Sequence, residues 1–112
     1  MEKNKESPIV YICSAYAGDV EKNTALAKRY CRLAMEYGVI PIAPHLLFPQ
    51  FLSEGREREL AIYMDLRVLD RCDELWICGD VITKGMKAEL EHALKRGMPV
   101  TFIEEEELHV CD

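Results

Sequence analysis

The chain has 112 residues and a formal net charge of −6. That length supports one domain with one core. The acidic balance, with no Lys/Arg stripe interleaved with aromatics, argues against a nucleic-acid partner.

No apolar run reaches the ~20 residues needed to span a bilayer. The stretch Met1–Ser7 is too charged for a signal peptide. A cytoplasmic protein with no membrane partner is therefore expected. Five cysteines occur, none of them in a Cys-x-x-Cys pair. Reduced thiols, with no metal site and no cofactor, are the expectation.

Residues 1–7 are polar and read as a tail. Pro8 opens a run, Ile9-Val-Tyr-Ile-Cys13, with the length and content of a buried parallel strand. Small and turn-forming residues, Ser14 to Asp19, break it. Helical spacing of Leu26, Tyr30, Leu33 and Tyr37 predicts a helix from about Val20 to Tyr37, with Asp19 or Asn23 as N-cap. Gly38 stops it.

Val39–Ala43 reads as the second strand. Pro41 inside it cannot donate to a ladder, which places that strand at an edge. Residues 44–54 form an irregular, mostly apolar loop that needs a surface to lie on, the domain's own cleft or a second subunit. A helix from about Arg56 to Arg71 is apolar on more than one side, the pattern of a helix covered by two layers, one of them in a dimer.

The third strand is Leu75–Cys78, punctuated by Gly79-Asp80. From Gly85 the spacing turns helical, with Met86, Leu90, Ala93 and Leu94 on one face. Gly97 ends that helix, Pro99–Ile103 is a fourth strand, and residues 104–112 read as a charged, mobile tail.

Strands alternating with helices call for an α/β fold: a doubly wound, flavodoxin- or Rossmann-like three-layer sandwich, with a parallel sheet and right-handed crossovers. With the second strand at an edge, the simplest order is 2-1-3-4. The winding then reverses between the first and third strands. Their exit loops, Ser14–Asp19 and Gly79–Lys84, face one crevice, where such sheets bind ligands. The amides of the first loop and the helix start behind it suit an anion.

Few side chains near that crevice can do chemistry. Glu91 sits between Lys87 and Lys95 on a solvated face. Glu89 instead borders the apolar stripe. Asp65 has Ala61, Ile62, Val68 and Leu69 at three and four positions' distance, and a lone buried carboxylate costs several kcal/mol unless it is paired or used. Asp80 reads first as a cap, Ser14, Tyr16 and Thr83 as turn residues, and His45 as a peripheral histidine without a partner at triad or metal spacing. Neither glycine-rich phosphate-loop pattern is present, nor a Ser-His-Asp arrangement. A carboxylate with a second acid and tyrosines fits chemistry at an anomeric carbon.

The segments Tyr11-Ile-Cys-Ser-Ala-Tyr-Ala-Gly18, Asp65-Leu66, Asp73 and Gly85-Met-Lys-Ala-Glu-Leu-Glu-His-Ala-Leu94 resemble the nucleoside 2-deoxyribosyltransferase-like superfamily. The nearest match is to its small bacterial and phage members, over nearly all of residues 9–103. The resemblance implies that Glu89 is a nucleophile forming a covalent glycosyl ester, that Tyr11 positions it, and that Asp65 meets the nucleobase and helps protonate it. Asp80 would belong to the base pocket. In the transferases Gly-Met is followed directly by the glutamate, whereas Lys87 and Ala88 intervene here.

Crevice and resemblance together make Ser14, Tyr16, Gly18, Asp80, Gly85 and Met86 the expected substrate contacts. They make a nucleoside or nucleotide the expected ligand, and a homodimer or larger homo-oligomer the expected assembly.

Overall fold

The computed structural model describes residues 6–53 and 55–110. Of the residues assigned to tails, 1–5 and 111–112 lie outside that range, as does Glu54 of the long loop. Four parallel strands, β1 (Ile9–Cys13), β2 (Ile40–Ile42), β3 (Glu74–Cys78) and β4 (Val100–Ile103), form one sheet in the order β2-β1-β3-β4. Helices α1 (Val20–Glu36), α2 (Arg58–Asp70) and α3 (Lys84–Lys95) connect them. The fold is the doubly wound three-layer α/β arrangement that the pattern predicts. No described helix is long and apolar enough to cross a membrane.

Strand alternation divides the core in two. Val10, Ile12, Trp76 and Cys78 face Tyr30, Leu33 and Ala34 of α1. Tyr11, Cys13, Leu75 and Ile77 face the other way, onto Leu69, Met86 and Ala93 of α2 and α3. β1 is central, pairing with β2 through Val10 and Pro41 and with β3 through Tyr11 and Leu75. Asp73 fixes that second register, its Oδ2 accepting from Ile9 N at 2.8 Å. Pro41 sits on the edge strand, where its missing N–H is harmless.

Helix starts are set by side chains. Asp19 caps α1 by accepting from Lys22 N at 3.1 Å, which resolves the two candidate caps. Asn23 instead donates to the carbonyls of Tyr16 and Ala17, tying the β1–α1 loop to the first helical turn. Thr83 caps α3 by accepting from Met86 N at 3.2 Å.

The loop after β2 lies against its own domain. It makes two short 3-10 turns, Pro44–Leu46 and Phe48–Gln50, and buries Phe48 and Leu52 against Ala61, Met64 and Val68. On α2, Leu60 and Tyr63 stay exposed at 46% and 56%, so the described residues do not supply the second covering layer expected for this helix.

The segment after β4 departs from the expected free tail. Residues Glu105–Val110 form a 3-10 helix, and Leu108 joins the α1-side core at 2% exposure. Asp80 anchors its start, Oδ1 accepting from Glu105 N at 3.0 Å. A run of four glutamates hides this, because the burial rests on the single leucine that follows them. Leu108→Ala should cost about 2–5 kcal/mol in urea unfolding, the range for a buried leucine. A change within ~0.5 kcal/mol would mark the segment as a free tail after all.

Candidate active site

β1 carries two side chains towards the α2/α3 layer at its carboxyl end, Tyr11 and Cys13. The Tyr11 hydroxyl donates to Glu89 Oε2 at 3.2 Å. Cys13 Sγ lies 4.0 Å from Glu89 Oε1 and from the Met86 carbonyl. Glu89 stands one turn into α3, where the helix faces β1, and is 4% exposed. Asp65, in the middle of α2, is also 4% exposed. The two carboxylates that break the apolar pattern of their helices thus lie in one buried region.

His45 completes the group. It sits on the 3-10 turn leaving β2, with Nε2 at 3.9 Å from Asp65 Oδ2 and its ring 5.2 Å from that of Tyr16. One ring nitrogen of His45 and one carboxylate oxygen from each of Asp65 and Glu89 all lie within 4.8 Å of one another. Its partner is twenty residues away on another element, so spacing along the chain could not reveal it. The readable signal was topological: β2 is the neighbour of β1, so a residue just past its carboxyl end borders the same crevice.

These groups open onto a cavity of about 230 Å³. Four of the expected contacts, Ser14, Tyr16, Gly85 and Met86, line it, and so do Arg58, Lys84 and Thr83. The histidine and carboxylates are donor types that a zinc ion takes. Two fixed cations, Arg58 and Lys84, share the cavity, and Tyr11 already engages Glu89. That environment suits acid–base work better than a metal cage.

Two expected contacts fall elsewhere. Asp80 lines a separate cavity of about 290 Å³ on the α1 side of the strand ends, with Lys22, Tyr30 and Glu105, and its Oδ1 is committed to Glu105 N. Its role in the structure is to hold the segment after β4. Gly18 lines neither cavity: a methyl group there would meet nothing within 4 Å, and its positive φ of 97° is what calls for glycine. Ser14 and Thr83 form the crest between the two cavities and line both.

Burial pushes the Tyr11 hydroxyl well above its usual range, and the negative charges of Glu89 and Asp65 push it further. Burial does the same to the Cys13 thiol, followed by Glu89. Both groups are therefore held neutral: Tyr11 is a hydrogen-bond donor and Cys13 is not a thiolate nucleophile.

The sequence profile of a family described as a domain of unknown function (DUF7768) matches residues 8–103, and the chain belongs to that family. No curated protein matches the chain.

The raised values set a pH dependence. A group whose folded pKa lies above its unfolded value stabilises fully below the unfolded value and less as pH climbs past it. Those unfolded values are 9.0 for Cys13 and 10.0 for Tyr11. Stability in denaturant titrations should fall as pH rises above about 9, and Tyr11→Phe should flatten the part of that fall above about 10. Equal alkaline slopes in wild type and variant would show that Tyr11 ionises as easily folded as unfolded.

Proposed function

We propose that this DUF7768 chain cleaves the N-glycosidic bond of a nucleoside or nucleotide, or transfers its deoxyribosyl group, with Glu89 as the nucleophile. The observation that carries the reading is the hydrogen bond from Tyr11 to Glu89 Oε2, at 3.2 Å. It holds a buried carboxylate at the mouth of a cavity, where a carboxylate without such a role is an expense to the fold. The sequence resemblance to the nucleoside 2-deoxyribosyltransferase-like superfamily points the same way.

The spacing of the carboxylates supports a covalent route. Oxygens of Asp65 and Glu89 approach within 4.8 Å. Enzymes that retain configuration at an anomeric carbon hold their two carboxyl groups about 5–5.5 Å apart, whereas those that place a water directly need about 6.5–9.5 Å.

In the first half-reaction a Glu89 oxygen bonds to C1′ as the C1′–N bond breaks, and the departing base takes a proton on the Asp65 side of the cavity. In the second, water or another base attacks C1′ and releases the Glu89 carboxylate. A water acceptor makes the reaction a hydrolysis, and a second base makes it a transfer. The charge that builds on the ribosyl ring in between is of the sign that Asp65 and Glu89 stabilise.

Assembly follows from the exposed apolar residues. A second copy of the chain covering Leu60 and Tyr63 of α2, beside exposed Phe51, would supply the layer that α2 lacks. A cytoplasmic setting fits the substrate class and the free cysteines Cys13, Cys31, Cys72 and Cys78.

Incubation with a panel of 2′-deoxynucleosides and their monophosphates should release free base, followed by chromatography. Glu89→Gln should lower turnover by about 10³-fold or more, as loss of a covalent nucleophile does. An acid-quenched wild-type sample should carry a mass increment equal to the sugar, and Glu89→Gln should not. A ligand-induced rise in melting temperature without base release from any substrate would leave a binding module in place of an enzyme.

A further inference from the structure

We infer that His45 is a catalytic residue, the group that carries the proton to the departing nucleobase, with Asp65 orienting its ring and stabilising its charged form. This deepens the glycosyl-transfer reading and rests on it. Three observations lead here. His45 borders the same cavity as Glu89. Its Nε2 faces Asp65 Oδ2 at 3.9 Å, close enough for the carboxylate to favour the imidazolium. The ring also packs beside that of Tyr16 from the loop after β1, with centroids 5.2 Å apart and planes tilted by 46°.

Chemistry selects histidine over the aspartate for this task. A purine or pyrimidine nitrogen is a poor leaving group until it is protonated, so the donor must hold a proton near neutral pH and give it up readily. An imidazolium does both, because its usual pKa is about 6.5, whereas that of an aspartate is about 3.9. A positive ring within 4.8 Å of both carboxylates also offsets their mutual repulsion.

The other charged or titratable groups bordering the ring's surroundings are Lys28 of α1, Arg58 of α2 and Lys84 of α3. All three are cations. They oppose the imidazolium, and the carboxylates of Asp65 and Glu89 favour it.

The proton balance closes over the two half-reactions. As Glu89 bonds to C1′ and the C1′–N bond breaks, the imidazolium gives its proton to the base nitrogen and becomes neutral. The neutral ring then takes a proton from the attacking water, or from the N–H of an acceptor base, as the oxygen or nitrogen bonds to C1′ and the Glu89 ester opens. His45 ends protonated, as it began.

The test compares two substrates that share a sugar: a 2′-deoxynucleoside, whose base must be protonated, and a 4-nitrophenyl 2-deoxyribofuranoside, whose phenolate leaves without a proton. His45→Gln should lower kcat on the nucleoside by about 10²–10⁴-fold, the range for loss of a general acid. It should change release of nitrophenolate little, with the melting temperature unchanged. Wild-type kcat/KM on the nucleoside should fall as pH rises through the imidazole range, and this limb should be missing in His45→Gln. Added imidazole should restore part of the nucleoside rate to His45→Ala.

Equal losses on both substrates would make His45 a structural residue, and an unchanged nucleoside rate would remove it from the mechanism. Either result would overturn the inference while Glu89 chemistry stands. Failure of the wild-type chain to turn over either substrate would overturn both.

Discussion

The structure turns on one contact, the hydrogen bond from a strand tyrosine to a helix carboxylate across the α3 face of the sheet. Tyr11 occupies an inward position of a central strand, where strand alternation gives its neighbours Val10 and Ile12 to a purely apolar packing on the other face. A leucine at that position would pack as well and need no partner. The hydroxyl instead reaches Glu89, and a buried carboxylate that accepts a hydrogen bond loses part of the desolvation penalty it would otherwise carry. Asp65 and His45 stand within 4.8 Å of the same carboxylate, so four polar groups gather at one place against the apolar layer.

The two faces of the sheet therefore do different work. The α1 face is closed by aromatic and aliphatic packing, and the segment after β4 extends it with Leu108. Asp80, at the end of β3, belongs to this face through its bond to Glu105 N. The α2/α3 face packs Leu69, Leu75 and Ile77 and also carries the polar cluster, with Glu89 and Asp65 beside Tyr11. Polar groups gather there because helix starts and loop amides converge where the winding reverses, and because water can reach a cavity that opens at the strand tips. Ser14 and Thr83 mark the boundary between the faces.

Much of this was legible in the residues. Pro41 fixed the edge strand, and the edge strand fixed the order 2-1-3-4. Glu89 stood out because its helical neighbours at three and four positions were unlike those of Glu91. Asp65 stood out because all of its own were apolar. Those signals are local, a period and a charge, and they survive folding. His45 left no such signal, since its meaning depends on a partner on another helix. Asp80 allowed two readings, a cap and a pocket residue, and its bond to Glu105 N shows what it holds in the structure. Leu108 was lost behind four glutamates, where charge density outweighs a single apolar side chain in any reading of composition.

The cluster is assembled from four separate pieces of chain: β1, the turn after β2, α2 and α3. None of them can present its group correctly alone. The His45 turn runs into Phe48 and Leu52, which pack under α2, and α2 also carries Asp65, so the histidine and this aspartate belong to one packed unit. Glu89 and Tyr11 form a second unit, locked by β1 pairing and by the Thr83 cap that starts α3. The cavity lies between these units. Asp65 and Glu89 are thus presented by different units, and the Tyr11–Glu89 bond belongs to only one of them.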